Sequence, residues 1–211
     1  MRNEKIITHI KNDVNPLNGK KLPEASETKH RAYVNEFKQR LGMGHSFESQ
    51  VQYYLWKQYG LRIFKCGLEQ KPEAAIEQLI KLNDPTSLEI RFDPDFICFV
   101  PGLPYSFYIE CKSDLSMTNS GNFSFDLEAY NHLVRKAYEG IRILCVVPGT
   151  EPSHKFICDW IENLEKAVVK KVTDPEKLKN ANGSGKSFVV ISKVKMRPLD
   201  FLMSEIIEGL I

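Results

Sequence analysis

The sequence predicts an α/β fold, a mixed central sheet flanked by helices with additions at both ends of the chain. Three observations carry this. Across residues 44–147, segments with helical and strand patterning follow in the order helix, strand, strand, strand, helix, strand. Two of the strands are separated by Pro101-Gly102-Leu103-Pro104, a turn composition that suits a four-residue hairpin loop. A third, Ile141–Val147, is apolar except for Arg142, lies between Gly140 and Pro148-Gly149 and reads as a buried strand. The expected organisation is an N-terminal arm and helix (1–43), a core (44–150) and an extension packed on the core (151–211).

Taken in order, residues 1–30 hold the breakers Asn15-Pro16, Asn18-Gly19 and Leu22-Pro23 and read as a loop-rich arm, followed by a helix near Lys29–Leu41. The next helix begins at Ser46 as N-cap, repeats Phe47, Val51, Tyr54 and Leu55 at helical spacing, and stops at Gly60. Leu61–Cys66 reads as a short strand and Pro72–Leu82 as an inserted helix ended by Asn83-Asp84-Pro85. Strands are expected at Ile90–Val100 and Tyr105–Lys112, a polar loop over Ser113–Ser124, and a helix over Phe125–Glu139. Beyond the buried strand, the pattern predicts a helix at Lys155–Lys171 and a mobile Lys/Asn/Gly-rich stretch at 173–187. A strand at Phe188–Lys195 and an amphipathic helix at Leu199–Leu210 complete the chain.

Composition bounds the function. With 211 residues, 42% hydrophobic and 27% charged, the chain can bury a sizeable core and is not of disordered composition. No apolar run reaches the ~20 residues of a membrane helix, and the first residues lack the apolar stretch of a secretory signal, so a cytoplasmic location is expected. The five cysteines are scattered in apolar runs without a C-x-x-C pair, which points to reduced core residues and away from zinc. Net charge by segment is +4 for 1–45, −5 for 46–164, +6 for 165–197 and −3 for the remainder. An acidic centre between basic flanks suits a carboxylate site fed by phosphate-binding arms, although solvated faces alone would give the same pattern.

The chemistry concentrates in residues 91–112. On a strand, Phe107, Ile109 and Cys111 share one side, while Tyr108, Glu110 and Lys112 share the other. If Val100 pairs with Tyr105 across the hairpin loop, Asp95 falls opposite Glu110, where Cβ atoms lie about 4.5–5.5 Å apart and like charges repel. A hard divalent cation, Mg²⁺ or Mn²⁺, would give two facing carboxylates a purpose. Lys112, one strand repeat (~6.8 Å) from Glu110, is placed to orient or deprotonate a water and to stabilise charge developing on phosphorus. A register slip of one residue would separate the two acids onto opposite faces.

Pro94-Asp95 followed by Glu110-Cys111-Lys112 resembles the PD-(D/E)XK nuclease superfamily, the restriction-endonuclease-like fold, in element order as well as motif, over about half the chain. The resemblance implies an α-β-β-β-α-β core in which Asp95, Glu110 and the Cys111 carbonyl hold Mg²⁺, with Mn²⁺ as a substitute. It also implies that the Cys111 side chain points into the core and that Lys112 acts on the nucleophile. Many members carry a glutamate on the first core helix. Phe47-Glu48 stands at that place, making Glu48 the expected additional acid, holding a water of the ion's shell or a second cation. The implied function is a Mg²⁺-dependent endonuclease that hydrolyses phosphodiesters in DNA, of restriction, resolvase or mobile-element type. A homodimer is the form suited to symmetric duplex cutting.

Two other readings stand beside it. His45 invites comparison with the viral cap-snatching RNA endonucleases, and a nuclease-fold module that binds nucleic acid or protein without cutting needs no intact acid-acid-lysine set. Other residues attract attention for weaker reasons. Tyr53, Tyr54, Trp56 and Tyr59 could stack on bases, but their spacing on one helix favours core packing. Asn182-Gly-Ser-Gly-Lys-Ser187 lacks the first glycine and preceding strand of a phosphate loop. Loop Ser113–Ser124, Arg135 and Lys136 are candidates for backbone phosphates; His9, His30, His132 and His154 have no partners suggested by the sequence.

Overall fold

The computed structural model describes residues 46–82, 84–113, 121–149, 153–174 and 187–209. Helix α1 covers 46–59 among these, with Ser46, the expected N-cap, already helical. Gly60 ends it at φ +66°, a left-handed conformation that glycine adopts without strain. Then follow β1 (Arg62–Lys65), α2 (Glu73–Leu82), α3 (Pro85–Arg91), β2 (Phe96–Phe99) and β3 (Ser106–Cys111). After these come β4 (Asn122–Asp126), α4 (Leu127–Tyr138), β5 (Ile143–Pro148), β6 (Phe156–Trp160) and α5 (Ile161–Leu164). The chain continues through β7 (Val168–Val172), β8 (Phe188–Ser192), β9 (Arg197–Pro198) and α6 (Leu199–Ile207).

The fold is mixed α/β. Six strands form a central sheet in the order β1-β2-β3-β5-β6-β9, and β4-β8-β7 form a second, smaller sheet. The central pairs are antiparallel except β3 with β5, which run parallel. Such a parallel pair needs a crossover, supplied here by β4 and α4. The first face of the central sheet is covered by α1 (Phe47, Val51, Leu55) and α6 (Leu199, Leu202, Met203, Ile206). The second face carries α4 (Tyr130, Leu133) and the small sheet (Phe123, Phe125, Val189, Ile191). Ile143–Val147 is therefore buried throughout, as its apolar run predicts.

The hairpin register agrees with the sequence reading: Phe96 pairs with Ile109 and Phe99 with Ser106, and the Val100 N–H donates to the Tyr105 carbonyl at 3.2 Å. Pro101 and Gly102 make the turn, Gly102 taking φ +81° as the third residue of a type II turn requires.

Three expectations are corrected. Helix α2 ends at Leu82, ahead of Asn83-Asp84-Pro85, as expected, but Asp84 and Pro85 also open α3: Asp84 Oδ1 accepts from the Ser87 N–H at 2.8 Å and Pro85 enters the first turn. The strand expected from Ile90 thus begins only at Phe96. The polar loop ends early, because Asn122–Asp126 pairs with β8, while residues 114–120 lie outside the described set. Lys155–Lys171 is not one helix. Its apolar residues fit both periods, and pairing with β5 turns Phe156–Trp160 into a strand, leaving only α5 and one tighter turn helical before β7. The arm and helix at 1–45, including His9, His30 and His45, and the stretch 175–186 with most of the glycine-rich segment, also lie outside the described residues. No helix among the described residues is long and apolar enough to cross a membrane.

Candidate active site

The hairpin and the parallel pair meet at the C-terminal end of β3, where Asp95, Glu110 and Lys112 are gathered. Asp95 immediately precedes β2 and is pinned from two sides. Its carbonyl accepts from the Cys66 N–H at 3.0 Å, which prolongs the β1–β2 pairing by one residue. Its carboxylate oxygen Oδ2 accepts from the Cys111 N–H at 2.7 Å. The Cys66 thiol donates to the preceding carbonyl, that of Pro94, at 2.9 Å. Lys112 continues the β3–β5 ladder, its N–H donating to the Val146 carbonyl at 2.9 Å.

Glu110 is 7% exposed, much more enclosed than a strand with one solvated face would allow. The second face is itself a core, so the acid is buried beside Cys145, its neighbour across the parallel pair. The compensating charge is Lys112, whose Nζ lies 2.5 Å from Glu110 Oε1 and 4.9 Å from the centre of the Phe125 ring. Cys111, between the two, turns into the first-face core as the resemblance implies.

These neighbours fix the electrostatics. Burial raises the Asp95 carboxyl well above the ordinary carboxylate range, and the charges of Glu110 and, less strongly, Glu48 add to the rise. Lys112 and the Cys111 N–H oppose them without cancelling the effect. For Lys112, burial disfavours the charged form, but Glu110 and Asp95 outweigh it and hold the ammonium protonated above the usual lysine range. Burial likewise pushes the Cys111 thiol up, helped by Asp95, Glu110 and Glu48. Glu48 stands on α1 with Oε2 3.6 Å from Lys65 Nζ on β1, near enough for its charge to be felt at Asp95.

The structure thus brings Asp95, Glu110, Cys111 and Lys112 together, with Glu48 contributing from α1. Among the described residues no three His, Cys, Asp or Glu side chains form a ready-made metal cage. The donor chemistry nevertheless fits a hard divalent cation, which commonly takes one or two carboxylates and completes its shell with waters and substrate phosphate. A cation would also offset the burial and the Glu110 charge that together raise Asp95.

Arg135 and Lys136, weighed for phosphate contact, are engaged elsewhere. Lys136 Nζ lies 2.8 Å from Asp93 Oδ1, and Arg135 pairs with Glu89, whose other oxygen is 3.3 Å from His132 Nε2. This α3–α4 clamp holds Asp93 two residues from Asp95, a supporting role that the sequence reading missed. Asp-Pro-Asp was its visible signal. The Lys65 partner of Glu48 was missed as well, since nothing in the spacing of positions 48 and 65 announces it.

The sequence matches no protein-family model and no curated protein. Among solved structures, the chain is similar to D212, a nuclease from a fusselovirus, at 10% identity and a TM-score of 0.39, over 84% of this chain and 94% of that one. A likeness of that size leaves the functional reading to the chemistry of the site itself.

Proposed function

We propose that the protein is a divalent-metal-dependent nuclease that hydrolyses phosphodiester bonds, with DNA as its substrate and Mg²⁺ as its ion. The observation that supports this reading best is the pair Asp95 and Glu110 opposed across the hairpin beside the Lys112 ammonium. Two enclosed carboxylates share one lysine, so ionising both leaves a negative charge unmatched, an arrangement a folding core gains nothing by assembling. Asp95, Glu110 and the Cys111 carbonyl would hold the ion, with Glu48 behind them. A bound cation would supply Lewis acidity to a phosphate oxygen and acidify water at the site.

The protein's own groups do the remainder. Lys112, held protonated by its carboxylate neighbours, acts as a hydrogen-bond donor and fixed positive charge. It orients the attacking water and stabilises the charge gained by phosphorus as the new P–O bond forms and the scissile P–O bond breaks. In this state it is a poor proton acceptor. The paired backbone contacts at Asp95 keep its carboxylate aimed without further ordering during the reaction.

The test is a digestion panel of duplex DNA, branched DNA and single-stranded RNA with Mg²⁺ or Mn²⁺. DNA scission is expected, lost in Glu110→Gln and Lys112→Ala while binding persists. No scission of any substrate by the natural chain, or undiminished scission by Glu110→Gln, ends the reading. RNA as the only substrate cut would transfer it to the viral-type alternative.

A further inference from the structure

Helix α1 has two unlike aromatic faces. Tyr54 and Tyr59 turn inward, both hydroxyls donating to Asp200 Oδ1 of α6. Tyr53 and Trp56 turn outward and remain 55% and 60% exposed, their rings 5.9 Å apart. The expectation that all four pack into the core therefore holds for only two. Together with Ser49 and Gln52, the outward pair forms a helical stripe along one wall of a groove of about 580 Å³, and β1 with Arg62 and Phe64 forms the other. That volume lies within the range of about 300–1,000 Å³ typical of ligand clefts.

The chemistry of this groove is selective. Among the described residues no acidic side chain lines it, and the one formal charge they bring is the exposed Arg62. Lys57 adds a second cation beside it, with Nζ 5.5 Å from the centre of the Tyr53 ring. Exposed aromatic faces next to cations, with hydroxyl and amide groups between them, suit bases that stack and a backbone that is anionic. Addition of a partner strand to β1 is less well served: the edge strand has four residues, and the Gln52 carboxamide already donates to its Ile63 carbonyl at 3.5 Å. In the chain, Ser49 and Phe64 of the groove lie next to Glu48 and Lys65, the ion pair that joins α1 to β1.

We propose that the α1–β1 groove is a subsite for single-stranded nucleic acid, in which unpaired bases stack on Trp56 and Tyr53. The inference rests on the nuclease reading and narrows its substrates to those with an unpaired stretch, such as an overhang, a flap or a free single strand.

Fluorescence anisotropy of the full chain without divalent ions, using a labelled dT 20-mer and a 20-base-pair duplex, tests it apart from cleavage. Trp56→Ala is expected to weaken dT binding at least about tenfold, Trp56→Phe less than about threefold, and duplex binding less than about twofold in either. Because Trp160 is buried, dT should quench tryptophan emission in the natural chain and not in Trp56→Phe. Tyr53→Ala gives an independent variant, with a smaller loss of dT affinity. The proposal falls if both alanine variants bind dT within twofold of the natural chain, or if duplex and single strand weaken equally. It falls equally if Trp56→Ala dissolves a dimer in sedimentation, since the face would then belong to a second copy. A chain that binds dT through Trp56 but cuts nothing would overturn the nuclease reading and leave the groove standing.

Discussion

Asp95 and Asp200 are both partly enclosed carboxylates near α1, and they are solvated by the protein in opposite ways. Asp200 accepts from the Tyr54 and Tyr59 hydroxyls, two neutral donors that need nothing further. Asp95 accepts one backbone N–H and faces the like charge of Glu110, with Lys112 shared between them. The first arrangement closes a contact between α1 and α6. The second leaves electrostatic work undone, the condition that the proposed cation site requires before its ion arrives.

Exchanging the fates of the two acids gives the strongest test. Asp95→Asn should reduce cleavage by about two to four orders of magnitude, the range expected when several kcal/mol of charge stabilisation are lost, while leaving stability unchanged or raised. Asp200→Ala should do the reverse, retaining cleavage but lowering stability by about 1–3 kcal/mol in urea unfolding, because two tyrosine hydroxyls lose their acceptor. If Asp95→Asn destabilises and Asp200→Ala does not, the contrast between the two sites is wrong.

A smaller effect sharpens the same comparison. Mg²⁺ at about ten times its dissociation constant should stabilise the natural chain by about 1.4 kcal/mol, readable as a rise in Tm. Asp200→Ala should keep that increment and Asp95→Asn should lose it.

The least effect concerns alkaline pH. Burial, aided by the hydrogen bond and charge of Asp200, raises the Tyr54 hydroxyl from 10.0 to about 12. Between those values the unfolded chain releases this proton and the folded chain keeps it, so stability falls as pH rises through that window. Tyr54→Phe should flatten this part of a pH-denaturation curve, and an unchanged slope would show that neither burial nor Asp200 keeps the hydroxyl protonated.

The hairpin was legible because its determinants are local. Pro101-Gly102 sets the turn, the turn sets the register, and the register brings Asp95 opposite Glu110. The buried strand Ile143–Pro148 was legible from hydrophobicity alone, within a residue or two at each end. Residues 155–171 were not, because their apolar positions satisfy a helical repeat and a strand equally until β5 offers an open edge. The start of α3 was encoded in Asp84-Pro85 but also reads as a stop signal, since the same residues end one helix and begin the next.

The sequence by itself determined the order of α1, β1, α2, β2, β3, α4 and β5, but not the presence of α3 and β4. It also determined the pairing of the hairpin and the identity of the acids and lysine within it, all set by turn chemistry and alternation over a few residues. Tertiary structure decided which surfaces close. It made the second face of the sheet a core, which burns away solvent from Glu110 and raises Asp95, and it turned Tyr54 and Tyr59 inward while leaving Tyr53 and Trp56 in water. Those outcomes depend on what packs from distant parts of the chain, and no local pattern records the low-dielectric surroundings that packing creates.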